Sequence, residues 1–220
     1  MPIKGIIFDC DGTLLDSLGD AMASFNFALD RSGEPARSPE VIKKYFGTSA
    51  DRILSKIIGS DKKGLLAFEY YKQHQTELAK TMQLHEDIDW LLNHISEQQV
   101  PMAIVTGRHA EDLEIVIARH NIRDRFVTLI ADSHLQNSKP APDGILLAAE
   151  RMGLSPQDTM YVGDSPMDIE ASHSAGCFSV AAMWDKLANL EEMKLKQPNF
   201  IAQTPNEVWE IFLKLSQSDR

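Results

Sequence analysis

At 220 residues the chain is longer than a typical single domain, which predicts one core of about 150 residues with a smaller unit inserted or appended. Hydrophobic content of 43% and charged content of 25% are those of a soluble globular protein, and no apolar run approaches the ~18 residues that a membrane span needs. The formal charge of -10 excludes nucleic acid and anionic membrane as main partners, since both demand a basic surface, but leaves room for a small phosphorylated ligand.

The amino terminus, Met1-Pro2-Ile3-Lys4-Gly5, carries no signal-peptide pattern and runs almost at once into a strand, so a cytoplasmic protein is expected. Cys10 and Cys177 lie far apart and form neither a zinc pattern nor a redox pair; they read as small core hydrophobes. The seven histidines are scattered without a His-x-x-x-His pair, which favours surface or packing roles over metal ligation.

The first strand is expected from Ile3 to Phe8, bulky enough throughout to be buried on both faces of a parallel sheet. It delivers Asp9-Cys10-Asp11-Gly12-Thr13 to the carboxyl edge, where open α/β sheets bind ligands. Carboxylates two residues apart can face one ligand while Cys10 turns away, although an Asx-rich turn explains an isolated Asp-Gly pair equally well. Leu18, Met22, Phe25 and Leu29 then mark one face of a helix ending near Gly33. Ser38-Pro39-Glu40 signals another helix start, and Ala50 to Ile58 and Lys62 to Met82 are helical. No strand is expected until after Val100, so helices interrupt the sheet.

From Glu86 to Gln98 an amphipathic helix leads into a strand at Met102 to Thr106, and alternation then becomes regular. Helix Ala110 to His120 precedes strand Phe126 to Ala131; helix Asp143 to Met152 precedes strand Thr159 to Gly163; helix Met167 to Ala175 precedes strand Phe178 to Met183. A short strand, Asn199 to Ala202, and a helix opened by a capping box at Thr204-Pro205-Asn206-Glu207 close the chain, with a charged surface stretch at Lys186 to Gln197 before them. Repeated strand-helix units predict a doubly wound parallel sheet of the α/β class.

Each later strand end carries polar groups. Thr106-Gly107-Arg108 sits at a helix start suited to an anion, Lys139 stands on a loop stiffened by Pro140 and Pro142, and Gly163-Asp164-Ser165-Pro166-Met167-Asp168 combines two acids with a second capping box. All parallel strands end on one side, so Asp9, Asp11, Thr106, Lys139, Asp164 and Asp168 are expected to meet at one mouth. Four carboxylates against one lysine repel by about 4 kcal/mol per pair at ~4 Å and an effective dielectric of about 20, which implies a divalent cation. All-oxygen, acid-rich ligation points to magnesium, with Asp9, Asp11, Asp164 and Asp168 as candidate ligands.

These segments resemble, in order, the four motifs of the haloacid dehalogenase superfamily: DCDGT from Asp9 to Thr13, Thr106, Lys139, and GDSPMD from Gly163 to Asp168. Within it, FDCDGTLLDS and the helix that follows look most like phosphoglycolate-phosphatase-like hydrolases. The resemblance implies a Rossmann-like core over residues 1–15 and 84–220, with a helical cap over 16–83. It further implies a phosphatase in which Asp9 attacks phosphorus to form an aspartyl phosphate. Asp11 would protonate the leaving oxygen and then activate water. Asp9, Asp164 and the Asp11 carbonyl would hold Mg2+, with Asp168 as ligand or support, and Thr106 and Lys139 would bind the phosphoryl oxygens.

The substrate expected is a small phosphorylated metabolite enclosed by the cap, met by Lys43, Lys44, Thr48 and Arg52 from the insertion and by Gly107 and Arg108 from the core. The chain departs from the resemblance at Gly107-Arg108, where relatives carry Asn or Ser then Lys, at Glu86-Asp87 in place of Pro-Gly, and at Trp184, read as a packed rim aromatic. A sugar phosphomutase would use the same aspartates, with Arg52 standing in for the arginine such relatives place in the cap. A non-enzymatic phosphate-binding protein would keep the pocket alone. A dehalogenase fits poorly, because such relatives lack an acid at the position of Asp11. Either a monomer or a homodimer is compatible with the sequence.

Overall fold

The structure is a computed structural model that describes residues 2–45 and 49–217. Its core is a six-stranded, all-parallel sheet built from β1 (Gly5–Phe8), β2 (Met102–Thr106), β3 (Thr128–Ala131), β4 (Thr159–Gly163), β5 (Phe178–Ala182) and β6 (Phe200–Ala202). The spatial order is β3-β2-β1-β4-β5-β6, so the chain reverses direction across the sheet at β1 and the β1–β4 junction forms the switch point.

Every residue of β1, β2 and β4 is buried, as the uninterrupted apolar sequences require. Successive side chains leave a strand on opposite faces, and the packing follows that period of two. Ile6, Phe8, Met102, Ile104, Met160 and Val162 join Leu91, Leu92, Ile95 and Val116 on one side of the sheet. Ile7, Ala103, Val105 and Tyr161 join Ile145, Ala148 and Ala171 on the other. The first side is therefore covered by α5 (Ile88–Glu97) and α6 (Ala110–Arg119), and the second by α7 (Asp143–Arg151) and α8 (Pro166–Ala175). Helices on both faces of a parallel sheet make the doubly wound α/β fold anticipated from the sequence.

Among the described residues, four helices run between β1 and α5: α1 (Leu18–Arg31), α2 (Pro39–Lys43), α3 (Ala50–Ile58) and α4 (Asp61–Ala79). They have an apolar cluster of their own, centred on Met22, Phe25, Leu29, Ile42, Ile53, Leu54 and Ala67. Two chain crossings join them to the sheet side by side: the Asp16 amide donates to the Gln83 carbonyl at 3.1 Å, and the His85 amide to the Leu14 carbonyl at 2.9 Å. The chain closes with α9 (Leu190–Leu195) and α10 (Pro205–Ser216). Among the described residues, no helix is long and apolar enough to cross a membrane.

Several boundaries differ from expectation for identifiable reasons. Pairing of β1 begins at Gly5 rather than Ile3, because the Ile3 and Lys4 amides turn to Leu215 and Asp158. A tight turn at Arg123–Arg125 delays β3 to Thr128. The capping box expected at Thr204 is not made: its hydroxyl caps nothing, and Glu207 accepts from the Gln203 amide at 2.9 Å instead. At α8 the box does form, Ser165 and Asp168 each accepting from the other's amide. Asp87 stands at the start of α5 with φ 66°, a left-handed conformation that the sequence does not announce.

Candidate active site

The sheet brings Asp9, Asp11, Thr106, Lys139 and Asp164 to one cavity of about 210 Å³ at its carboxyl edge. Asp9 follows directly on β1, tied to β4 by its amide bond to the Val162 carbonyl at 2.8 Å. Gly12 then turns with φ +75°, and a Cβ there would lie 2.4 Å from Asp164 Oδ2, so only glycine lets the loop close against that carboxylate. Thr13 Oγ1 donates to Asp164 Oδ1 at 3.1 Å, fixing the acid from the same loop.

Lys139 is the pivot of the acidic cluster. Its Nζ donates to Asp9 Oδ1 at 2.9 Å, to Asp168 Oδ1 at 2.6 Å and to the Tyr161 hydroxyl at 3.1 Å. Asp168 is fully buried and does not line the cavity. Its Oδ1 takes Lys139 and Tyr161, and its Oδ2 takes the amide and hydroxyl of Ser165, so all its acceptor positions are engaged in holding the lysine and the start of α8. Burial and the two carboxylates act against each other on Lys139, and Asp168 and Asp9 prevail, holding its pKa above the usual value.

The pKa values of Asp9 and Asp164 are raised too, which for an acid favours the neutral form. Burial, reinforced by neighbouring carboxylates, pushes Asp9 up to about 7 against the opposition of Lys139. Burial and the charges of Asp9 and Asp168 likewise hold Asp164 well above the carboxylate range. One oxygen from each of Asp9, Asp164 and Asp168 lies within 4.8 Å of the others, whereas the side chain of Asp11 stands outside this group. Three close acids face a single ammonium, and the all-oxygen donor set suits a hard divalent cation.

Asp11 is instead paired with Arg108. The guanidinium donates through Nε to Asp11 Oδ2 at 3.1 Å and through Nη2 to Oδ1, where Ser17 Oγ also donates at 2.6 Å. Burial would raise the Asp11 carboxyl, but Arg108 and Ser17 outweigh it and hold the pKa below the usual range. Arg108 Nη1 reaches on to Gln75 Oε1 of α4 at 3.2 Å, so this buried arginine joins the acid to the inserted helices. Thr106 Oγ1 accepts from the Arg108 amide at 3.1 Å and fixes the turn from which the side chain extends.

Replacing Arg108 with Gln removes the cation that depresses Asp11, so the carboxyl is expected to titrate at higher pH. In the donor role that the resemblance implies for Asp11, the carboxyl must carry its proton, so the basic limb of the kcat/KM pH profile is expected to move upward in Arg108→Gln. An unchanged profile would show that Arg108 does not set the ionisation of Asp11.

The inserted helices roof the cavity with Phe25, Ile53, Phe68, Tyr71, Lys72 and Gln75. Gly107 and Arg108 line it as expected, but Lys43, Lys44 and Arg52 of the insertion do not. Lys43 donates to the Leu187 carbonyl, Lys44 is exposed, and Arg52 is exposed on the outer face, lining a separate depression with Ser55 and Asp61. The helical phase of α3 turns Ile53 inward, which necessarily sends Arg52 outward. Thr48 lies outside the described residues. Trp184 packs on the core and donates to the Thr13 carbonyl at 2.9 Å, the rim role expected of it. The sequence reading missed Tyr161, Ser17 and Gln75; a mid-strand tyrosine, a serine just before α1 and a glutamine within α4 carry no local signal of the charged groups they meet.

The family model described as haloacid dehalogenase-like hydrolase matches residues 6–182. The phosphoglycolate phosphatase of Escherichia coli O157:H7 is 28% identical, over 94% of this chain and 91% of its own. Among solved structures, the "predicted phosphoglycolate phosphatase" of Haemophilus somnus 129pt is 25% identical with a TM-score of 0.84, covering 95% of this chain and 97% of its own. A protein of Clostridium acetobutylicum described as a predicted phosphatase shares the fold with a TM-score of 0.86 at 18% identity, covering 98% of this chain and all, 100%, of its own.

Proposed function

The chain belongs to the haloacid dehalogenase-like hydrolase family, and on that footing we propose that it is a magnesium-dependent phosphatase, hydrolysing a small phosphomonoester through an aspartyl phosphate on Asp9. The observation that carries this reading is the set Asp9, Asp11, Thr106, Lys139 and Asp164 around one roofed cavity. The names of the relatives support a phosphoglycolate-like substrate.

In the proposed reaction a carboxylate oxygen of Asp9 forms a bond to phosphorus as the ester P–O bond breaks, and the departing oxygen takes its proton from Asp11. Asp11 then removes a proton from water, which attacks phosphorus and returns Asp9 as the leaving carboxylate. Lys139 and Thr106 lie where fixed donors would meet the transferring oxygens. Asp11 becomes a donor only once Arg108 is drawn away from it, and an anionic group on the substrate would draw it. Asp9 and Asp164 would hold the magnesium, which supplies positive charge against the phosphoryl oxygens.

Residues 16–83 act in this account as a cap that encloses the substrate. Phe25, Phe68 and Tyr71 exclude water, and the outward position of Arg52 favours a phosphatase over a mutase.

Chelation is expected to abolish turnover, and magnesium to restore it. Asp9 in the metal-free protein keeps its proton up to about 7, while the unfolded chain loses it near 3.8. The folded state thus binds more protons across that window, and its stability falls as pH rises through it; above it, bound cation offsets the loss. Apparent magnesium affinity is accordingly expected to fall by up to about tenfold per pH unit below the Asp9 pKa, checked by titration calorimetry.

The reading is tested with a panel of phosphorylated metabolites that includes 2-phosphoglycolate, assayed with magnesium beside a phosphorylated protein. A small monoester is expected to dominate. Comparable kcat/KM for the phosphoprotein would contradict enclosure, and no phosphate release from any monoester would contradict the function.

A further inference from the structure

Away from the catalytic cavity, Asp16, His85 and Asp185 meet where the inserted helices join the sheet. Asp16 precedes α1 on the outgoing crossing, His85 precedes α5 on the returning one, and Asp185 follows β5. One ligand-type atom from each lies within 4.8 Å of the others. The three are separated in sequence but held by independently anchored backbone: Asp16 and His85 by the bonds between the crossings, Asp185 by its own Oδ1 accepting the Leu187 amide at 2.7 Å.

Two of these side chains are buried with a polar atom unserved. Asp185 is 3% exposed and His85 10% exposed at the side chain, and neither Asp185 Oδ2 nor His85 Nε2 has a hydrogen-bond partner. The two atoms face each other at 3.4 Å, too far for a well-formed hydrogen bond. That separation matches the edge of a tetrahedral metal shell with ligand bonds of about 2.0–2.1 Å, roughly 3.4 Å. Asp16 is exposed and leaves room for water as a further ligand. Two carboxylates with one neutral imidazole balance a dication.

We propose that Asp16, His85 and Asp185 form a second divalent-cation site, distinct from the acidic catalytic cluster, that ties both crossings of the inserted helices to the loop after β5. The imidazole selects a borderline ion of the zinc class, whereas the all-carboxylate catalytic cluster favours magnesium. With both crossings pinned to one core loop, the bound ion would resist movement of the helices relative to the sheet.

The test uses Co2+ as a spectroscopic stand-in for zinc, titrated into the full chain with magnesium in large excess. One equivalent of Co2+ per chain is expected to give visible d–d absorption. Binding should persist in Asp9→Asn, which disables the catalytic cluster, and disappear in His85→Gln. Circular dichroism verifies folding, and Asp16→Asn, at an exposed position, provides a second variant whose Co2+ affinity should fall at least about tenfold. Co2+ binding that survives His85→Gln and Asp16→Asn, or that is lost in Asp9→Asn, would overturn the assignment. So would the absence of any Co2+ equivalent in the wild type.

Discussion

Asp9→Asn is expected to retain less than about a hundredth of wild-type turnover while remaining folded. The amide preserves the shape of the side chain at the end of β1 but cannot form an acyl phosphate. It also removes one negative charge from a cluster in which burial and neighbouring acids already raise the Asp9 pKa to about 7. The metal-free variant is therefore expected to be at least as stable as the wild type above that pH, so lost turnover cannot be ascribed to unfolding. Steady-state kinetics beside a thermal melt separates the two quantities. A variant that is folded and still turns over at near wild-type rate would place the nucleophile elsewhere.

Lys139→Ala is expected to damage both catalysis and stability. Its ammonium serves Asp9 and Asp168 together, and Asp168 is fully buried with no access to water. Removing one partner of a buried pair commonly costs about 3–5 kcal/mol, because the remaining charge is left without compensation. Turnover is expected to fall by about a hundredfold or more through the loss of a fixed positive charge beside the phosphoryl site. Added magnesium should recover part of the stability, since a cation near Asp9 relieves the same repulsion, but little of the turnover. Denaturant melts with and without magnesium check the first expectation and kinetics the second. Wild-type stability in the metal-free variant would show that Asp168 does not depend on the lysine.

The sheet was legible in the sequence because β1 to β4 are fully buried and the helices beside them amphipathic. Met102 to Thr106, Thr159 to Gly163 and Ala50 to Ile58 stand with the bounds that their apolar patterns mark. A boundary moved where backbone groups found tertiary partners, as at Ile3, whereas at Thr204 the helix begins where expected and only the capping bonds differ, Glu207 accepting from the Gln203 amide instead. The convergence of Asp9, Asp11, Thr106, Lys139 and Asp164 was legible for a topological reason: parallel strands end on one edge, so polar residues at their ends meet there.

The environment of each group was not legible. Asp11 and Asp9 stand two residues apart in like sequence, yet Arg108 draws one pKa down while burial drives the other up. Charge content also misdirected the reading of the insertion, because Lys43, Lys44 and Arg52 are the conspicuous cations there and yet none lines the cavity. The contribution of that unit to the cavity is mainly apolar, with Leu18, Phe25, Ile53, Phe68 and Tyr71 indistinguishable in sequence from the rest of its apolar residues. Asp16, His85 and Asp185 are separated by two long intervals and follow no ligand spacing, so only the packed crossings bring them together.

A covalent intermediate at Asp9 is the central step of the proposed reaction, and the stereochemical course at phosphorus tests it most directly. A small phosphorothioate monoester, made chiral at phosphorus by the sulfur and one heavy oxygen isotope, is hydrolysed with magnesium in water carrying the third oxygen isotope, and the configuration of the released chiral thiophosphate is determined. Two successive in-line displacements, one by Asp9 and one by water, predict overall retention. Inversion would mean that water attacks the substrate directly and would contradict the role assigned to Asp9.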